Sequence, residues 1–239
     1  MPLPTIVTPT YELELPSTGK TIKYRPFLVK EEKLLVLALE TEDIKEISNA
    51  IKAVLKNCIQ TKGIKIESLP TFDIEYLFLN IRGKSVGEEI QVKLIAPDDG
   101  ETSVPVTINI DDIKVTKQED HTNKIKLDDN LVMEMKYPSL DQFIKNNFDM
   151  SGNISIDQSF ELIASCVDKI YSDEEVWVAA DVTKKELIEF LEQMNSMQFK
   201  EVERFFETMP KLSHEITFTN PKTKVESTVV LEGLSSFFA

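Results

Sequence analysis

Few residues of this chain are of the types and spacing that catalysis or metal binding requires. His121 and His214 are its 2 histidines. His121 lies in a polar stretch and His214 begins an alternating segment, so neither has a nucleophile or a second ligand at a recognisable spacing. The 7 glycines form no phosphate-binding loop. The sequence therefore predicts no catalytic residue, no cofactor and no metal site.

Carboxylates are abundant, and two groupings of them could bind or react. Asp98 and Asp99 could join Asp111 and Asp112 as oxygen ligands for calcium. The ligand spacing of an EF-hand is absent, and Asp and Gly favour turns, so we interpret residues 96–100 as a turn. A glycosidase would need two carboxylates across a cleft, and no spacing here specifies such a pair.

The composition is that of a soluble globular protein of 239 residues with a formal net charge of −14. This charge argues against nucleic acid as a partner, because phosphate contacts need clustered Lys and Arg. Cys58 and Cys166 lie in apolar helical patterns and are predicted to be buried free thiols rather than a disulfide. No window predicts a signal peptide or a membrane span. We therefore expect the protein in a reducing cytoplasm, or in a particle assembled there.

The chain is organised around residues 24–40, where a strand is predicted to pass into a helix. Residues 21–24 alternate between polar and apolar, and Pro26, which has no N–H, ends the strand near Arg25. From Lys30 onward the acidic first turn and the leucines that follow predict a helix. This segment is a joint between a sheet and a helical layer.

The remaining patterns predict an α+β fold of antiparallel hairpins with a mainly helical second half. We divide the chain into an N-terminal α+β region (1–114), a connector and hairpin (115–138), and a helical region closed by a hairpin (139–239). The pattern leaves open whether the closing hairpin rejoins the N-terminal sheet. Residues 176–178 are predicted as a short strand or a buried connector.

Three capping boxes predict helix starts in the second half. They are Ser139 with Gln142, Ser155 with Gln158, and Thr183 with Glu186.

Adjacent aromatic residues suggest surfaces for protein contact. Phe205 with Phe206, and Phe237 with Phe238, cannot all face one core, because neighbouring side chains point in different directions. Either one member of each pair is exposed to a partner or the element is packed on both sides. The apolar C-terminal residues are expected to dock on their own domain or on a neighbour.

Three blocks of sequence resemble one known family in the right order. Residues 24–35 (YRPFLVKEEKLL) resemble the opening signature of the T4-type phage baseplate hub protein family, and residues 76–87 (YLFLNIRGKSVG) match its middle block. The closing signature is similar to residues 206–215 (FETMPKLSHE), 220–224 (NPKTK) and 229–234 (VVLEGL). The resemblance covers about the first hundred residues and the last forty.

The resemblance implies a non-enzymatic structural or assembly component of the central hub of a contractile-tailed phage baseplate. Its partners would be other hub proteins and the tape-measure protein, contacted without nucleic acid or membrane, in the host cytoplasm during assembly and in the virion if the protein is retained. The candidate contact residues are Arg25, Phe27, Arg82, Phe205, Phe206, Phe237 and Phe238.

One departure and two alternatives accompany this interpretation. Some relatives have a Cys-x-x-Cys-Gly knuckle where this chain has residues 96–100 (APDDG), so no structural zinc carries over. The first alternative is a tail assembly chaperone that leaves before the virion is complete. The second is a tail-associated cell-wall hydrolase, for which the sequence specifies no carboxylate pair.

Overall fold

The computed structural model describes residues 6–41, 43–142 and 156–237. The chain divides into two compact units. The first comprises Met1–Ile66, Phe72–Thr116 and Lys211–Ala239, and the second comprises Glu67–Thr71 and Lys117–Pro210. The chain thus leaves the first unit twice and returns to it twice. The division at residues 114 and 138 drawn from the sequence stays a prediction.

The described residues contain these helices and strands, in chain order: β1 (Tyr11–Glu14), β2 (Thr21–Tyr24), α1 (Val29–Glu40), α2 (Ile44–Cys58), α3 (Thr71–Val86), β3 (Glu89–Ile95), β4 (Ser103–Asn109), β5 (Lys114–Thr116), β6 (Lys124–Lys126), β7 (Val132–Met135), α4 (Ile156–Cys166), β8 (Val167–Tyr171), β9 (Val176–Val178), α5 (Lys184–Glu192), α6 (Ser196–Thr208), β10 (Lys211–Thr219) and β11 (Glu226–Glu232). Short 3₁₀ turns lie between some of them.

In the first unit, the β1–β2 hairpin holds the chain on both sides of α1 and α2. The two strands are antiparallel, with Tyr11 opposite Tyr24. The Arg25 N–H donates to the Cys58 carbonyl (3.0 Å), and the Gln60 N–H donates to the Lys23 carbonyl (2.8 Å). Helices α1 and α2 therefore form an excursion that begins and ends beside β2.

The core of the first unit lies against two further antiparallel sheets. One is the hairpin β3–β4, and the other has the order β11-β10-β5. Ile90, Val92 and Leu94 alternate along β3 and are buried, because successive side chains of a strand point to opposite faces. Leu212, Leu231 and other apolar residues complete the same core cluster.

The second unit packs helices on a four-stranded antiparallel sheet of order β6-β7-β8-β9. Its core cluster combines apolar side chains of the sheet with those of α4, α5 and α6, including Met133, Ile170, Leu191 and Phe205. The sheet has β9 at one edge.

The structure confirms the α+β fold and adds detail that the sequence pattern left open. Strand β5 ends at Thr116, and its Val115 packs on the first core and lies opposite Leu212 of β10. The sequence pattern left the sheet partner of the closing hairpin open, and among the described strands β10 pairs with β5. Residues 176–178 form a strand, which was the first of the two predicted alternatives, and their side chains are exposed.

The capping boxes have different outcomes. Thr183 and Glu186 cap α5 reciprocally, as predicted. Ser139 N–H donates to Gln142 Oε1 (2.8 Å) at a helix start, while Ser155 of the second predicted box lies outside the described residues. Both Cys58 and Cys166 are buried free thiols, as predicted.

Candidate functional site

A buried ion pair fixes the joint between β2 and α1. Arg25 Nη2 donates to Glu31 Oε1 at 3.0 Å, and Arg25 Nη1 donates to the Pro26 carbonyl at 2.8 Å. The other carboxylate oxygen of Glu31 accepts from the Leu28 N–H at 2.8 Å, at the first turn of α1. The Glu31 side chain is only 1% exposed. A single carboxylate therefore caps the helix and neutralises the arginine.

The electrostatics of this joint keep Glu31 ionised and Cys58 protonated. Burial alone would raise the pKa of Glu31, but the hydrogen bonds from Arg25 and Leu28, with the charges of Arg25 and Lys30, bring it below its usual value. Burial raises the pKa of Cys58 to about 11. Since a thiol is a poor nucleophile, Cys58 is a core residue here rather than a reactive group.

A second contact ties the start of α1 to α3. The Phe27 N–H donates to Ser85 Oγ at 2.9 Å, and Ser85 Oγ donates in turn to the Ile81 carbonyl at 2.6 Å. The Phe27 side chain is half-buried. The candidate residues Arg25 and Phe27 are thus close together and hold α1 in place.

The joint positions helix α1, whose exposed surface is unusually apolar. On α1 only Glu31 and Ala38 are buried, and the helix packs against α2. The exposed apolar residues, called here the α1 surface, are 38% to 79% exposed: Val29, Leu34, Val36, Leu37 and Leu39. Exposed apolar groups clustered in this way mark contact sites on soluble proteins.

A smaller apolar strip lies at the edge of the sheet in the second unit. Strand β9 pairs with β8 on one side, and no other strand of the described residues pairs with its other side. Its residues Val176, Trp177 and Val178 are 57%, 40% and 42% exposed. Acidic residues stand immediately before it, at 173–175. An unprotected edge strand is a template for another chain.

The structure places Phe205 and Phe206 in the second unit with different environments. Phe205 is buried in the core, and the half-buried Phe206 ring meets it edge to face with centroids 5.1 Å apart. Phe205 also packs on the rings of His121 and Tyr137, at 5.4 and 5.6 Å.

His121 is held in one neutral tautomer by its neighbours. The Thr208 hydroxyl donates its single proton to the Arg204 carbonyl (2.7 Å), so it must accept from His121 Nδ1–H (2.8 Å). His121 Nε2 then accepts from the Tyr137 hydroxyl at 3.0 Å. Burial is the main cause that lowers the pKa of His121. Both ring nitrogens are committed to structural hydrogen bonds.

The other predicted contact residues lie in the first unit or outside the described chain. Arg82 is half-buried in α3, where burial lowers its pKa. Phe237 is fully buried in the core of the first unit. Phe238 lies outside the described residues. The described candidates thus belong to two units, and their roles in protein contact stay predictions.

Asp98 connects two hairpin turns, and Asp99 caps its own turn. Asp98 Oδ1 accepts from Asn220 Nδ2 at 3.0 Å, and Asp98 also accepts from the Thr223 hydroxyl. Asp99 accepts from the Thr102 N–H at 2.9 Å. Across the described residues, no three His, Cys, Asp or Glu side chains are arranged to hold a metal ion.

Comparison with known proteins identifies the family. The family described as T4 bacteriophage base plate protein matches residues 8–239. No curated protein matches the chain, and no solved structure does. The chain belongs to the T4 bacteriophage base plate protein family, and it is a baseplate protein of a phage. None of the described helices is long and apolar enough to cross a membrane.

Sequence reasoning missed the α1 surface and the exposure of Trp177. Residues 34–39 (LLVLAL) are all apolar, and six consecutive helical residues span more than the full circumference of a helix. Some of them must therefore be exposed unless the helix is surrounded. That signal was present in the sequence, whereas the position of β9 at a sheet edge depends on the tertiary fold.

Proposed function

We propose that the protein is a non-enzymatic component of the central baseplate hub and acts by binding other hub proteins. The family match over residues 8–239 carries this proposal. The committed hydrogen bonds of His121 and the protonated Cys58 support a binding role, because neither group is available for chemistry. The protein is retained in the finished baseplate in this proposal.

The edge strand β9 is the contact through which we propose that a hub partner binds. Trp177 is the only tryptophan of the chain, and exposed tryptophans at interfaces contribute large shares of binding energy. A partner strand would pair with the open edge and bury Val176, Trp177 and Val178. The half-buried Phe206 and Phe27 are secondary candidates for such contacts.

The charge of the second unit indicates what kind of partner fits. Residues 117–210 contain 20 acidic and 10 basic residues, a net charge of −10 within the total of −14. Opposite charges on a partner speed and orient association, and salt screens this effect. We therefore expect a hub protein, or the tape-measure protein, with a basic patch beside an extended segment.

Co-expression with each baseplate protein and the tape-measure protein of the same phage tests this proposal. A tagged wild-type chain should retain at least one of them, less strongly as salt rises. Trp177→Asp should lower recovery of that partner about tenfold or more, since removal of a central tryptophan costs roughly 2 kcal/mol.

Val230→Asp is the matched control, because Val230 is also an exposed strand residue, 54% exposed, but lies on β11. It should bind the partner as the wild type does. Recovery of no partner in any combination, or equal recovery with Trp177→Asp, would contradict the proposed contact.

A further inference from the structure

Five residues of α1 lie on one stripe that faces away from its buried side. Val29, Lys33, Val36, Leu37 and Glu40 recur at helical spacing, on the side of the helix opposite the buried Glu31 and Ala38. The stripe has an apolar centre, Val36 and Leu37, with a cation before it and an anion after it. The flanking Leu34 and Leu39 are exposed as well.

The stripe is complementary in charge to a second copy of itself that runs in the opposite direction. Lys33 and Glu40 are equally far from the midpoint between Val36 and Leu37. Two copies of α1 in antiparallel contact about that midpoint would place each Lys33 beside Glu40 of the other copy. Val36 would meet Leu37, and Leu34 would meet Leu39, in the same register.

The contacts of the described residues do not explain these charges. Among the residues that the structure describes, neither Lys33 nor Glu40 has an ion-pair partner. Glu40 is the last residue of α1, where the helix dipole favours a basic residue and disfavours a carboxylate. Within one helix the two charges are seven residues apart, about 10 Å along the axis, which is too far for a direct pair.

We propose that two copies of this protein associate through antiparallel packing of their α1 surfaces. The interface is isologous, so each contact occurs twice. Helix axes at about 8–10 Å would bury the exposed Val36, Leu37 and Leu39 of both copies. The charged ends fix the antiparallel direction, because a parallel pair would place like charges together. This proposal does not depend on the hub function.

Molar mass in solution, measured by light scattering over a concentration series into the high micromolar range, tests the proposal. The wild type should shift from 27.2 kDa towards twice that mass as concentration rises. Lys33→Glu and Glu40→Lys should each raise the dimer dissociation constant about tenfold or more, because each change creates two like-charge contacts. The double variant Lys33→Glu with Glu40→Lys should restore dimers, since the reversed charges again meet their opposites.

The double variant separates self-association from binding to any other protein. Circular dichroism should show that all variants fold, since both side chains are exposed and Glu40→Lys favours the helix dipole. Lys185→Glu, on the exposed face of α5, is the charge-matched control and should dimerise as the wild type does. A wild type that stays at 27.2 kDa throughout, or a double variant that stays monomeric, would overturn the proposal.

Discussion

Glu31 illustrates how one buried carboxylate connects a sheet to a helix. It accepts hydrogen bonds from Arg25 and from the Leu28 N–H, and its side chain is almost fully removed from water. A buried ion pair contributes little compared with an apolar pair of the same shape, but removal of one partner is costly. The joint is therefore sensitive to either residue.

We expect Glu31→Gln to lower the free energy of unfolding by about 3 kcal/mol. The largely buried guanidinium of Arg25 would then face a neutral amide instead of a carboxylate. Urea denaturation measures this change, and the exposed Glu32→Gln serves as the control, with a change within about 0.5 kcal/mol. The folded pKa of Glu31 is lowered, so its stabilisation is present above its unfolded pKa and is lost as pH falls through the folded value. The difference between variant and wild type should shrink in acid, and a constant difference would contradict the assignment.

His121 predicts a second pH dependence, of a different origin. Its folded pKa lies below its ordinary value of 6.5, mainly through burial and then through the charge of Lys117, with Asp120 acting in the opposite direction. Between those two pKa values the unfolded chain binds the proton, so the free energy of unfolding should fall as pH drops below about 6.5. His121→Gln should reduce this pH dependence in urea titrations.

Val202→Ala is the control for His121, because Val202 is buried in the same core cluster and does not titrate. It should be destabilised at every pH, by about 1 to 3 kcal/mol, while the pH dependence stays that of the wild type. An unchanged pH dependence in His121→Gln would show that another group is responsible.

At the scale of elements, two hairpin turns of the first unit are connected through Asp98. Its carboxylate accepts from Asn220 and Thr223, which lie in the turn between β10 and β11. Asn220 is buried, and its side-chain oxygen Oδ1 accepts a hydrogen bond from the Lys222 N–H at 2.9 Å. The link holds the β10–β11 turn in the conformation that this capping requires.

Asp98→Ala should therefore speed amide hydrogen exchange at Lys222 and Lys224, whose N–H groups donate to Asn220. The hydrogen bonds from Thr223 and Asn220 lower the pKa of Asp98, so the wild type should show the same loosening only in acid. Asp128→Ala, which removes the cap of the Asn130 N–H in the second unit, is the control and should leave Lys222 unchanged. Unchanged exchange at Lys222 and Lys224 in Asp98→Ala would contradict the link.

The sequence predicted those elements whose signals are local. Polar and apolar residues alternate along β3 and β4, as in a hairpin, and Ile47, Ile51 and Val54 of α2 recur at helical spacing. The pairing of β10 with β5 could not be predicted, because β5 has only three residues and lies far from β10 in the chain. The Asn195 and Gln198 capping box at α6 was a local signal that the sequence reading missed.

The contact roles of the candidate residues stay predictions, and their positions in the structure differ. Arg25 and Phe27 were found because they lie in the strand-to-helix joint, although they position α1 rather than forming its exposed surface. Phe205 and Phe237 are aromatic residues of the two cores. Aromatic side chains fill cores and interfaces alike, so residue type alone does not separate these roles.

At the scale of the whole molecule, the two proposed contacts lie in different units. The α1 surface belongs to the first unit, and we propose that it binds a second copy. The β9 edge belongs to the more acidic second unit, and we propose that it binds a hub partner. Variants in one surface should therefore leave the other contact unchanged, because the two surfaces share no residue and sites without shared partners usually act independently.

The central claim is that this baseplate family member is a hub component of the finished particle. A quantitative immunoblot of purified mature phage beside infected-cell lysate, normalised to a known tail protein, tests it most directly. We predict a signal in the particles at a fixed, low copy number that survives purification. A signal confined to the lysate would contradict the claim and would indicate an assembly chaperone that leaves before the virion is complete.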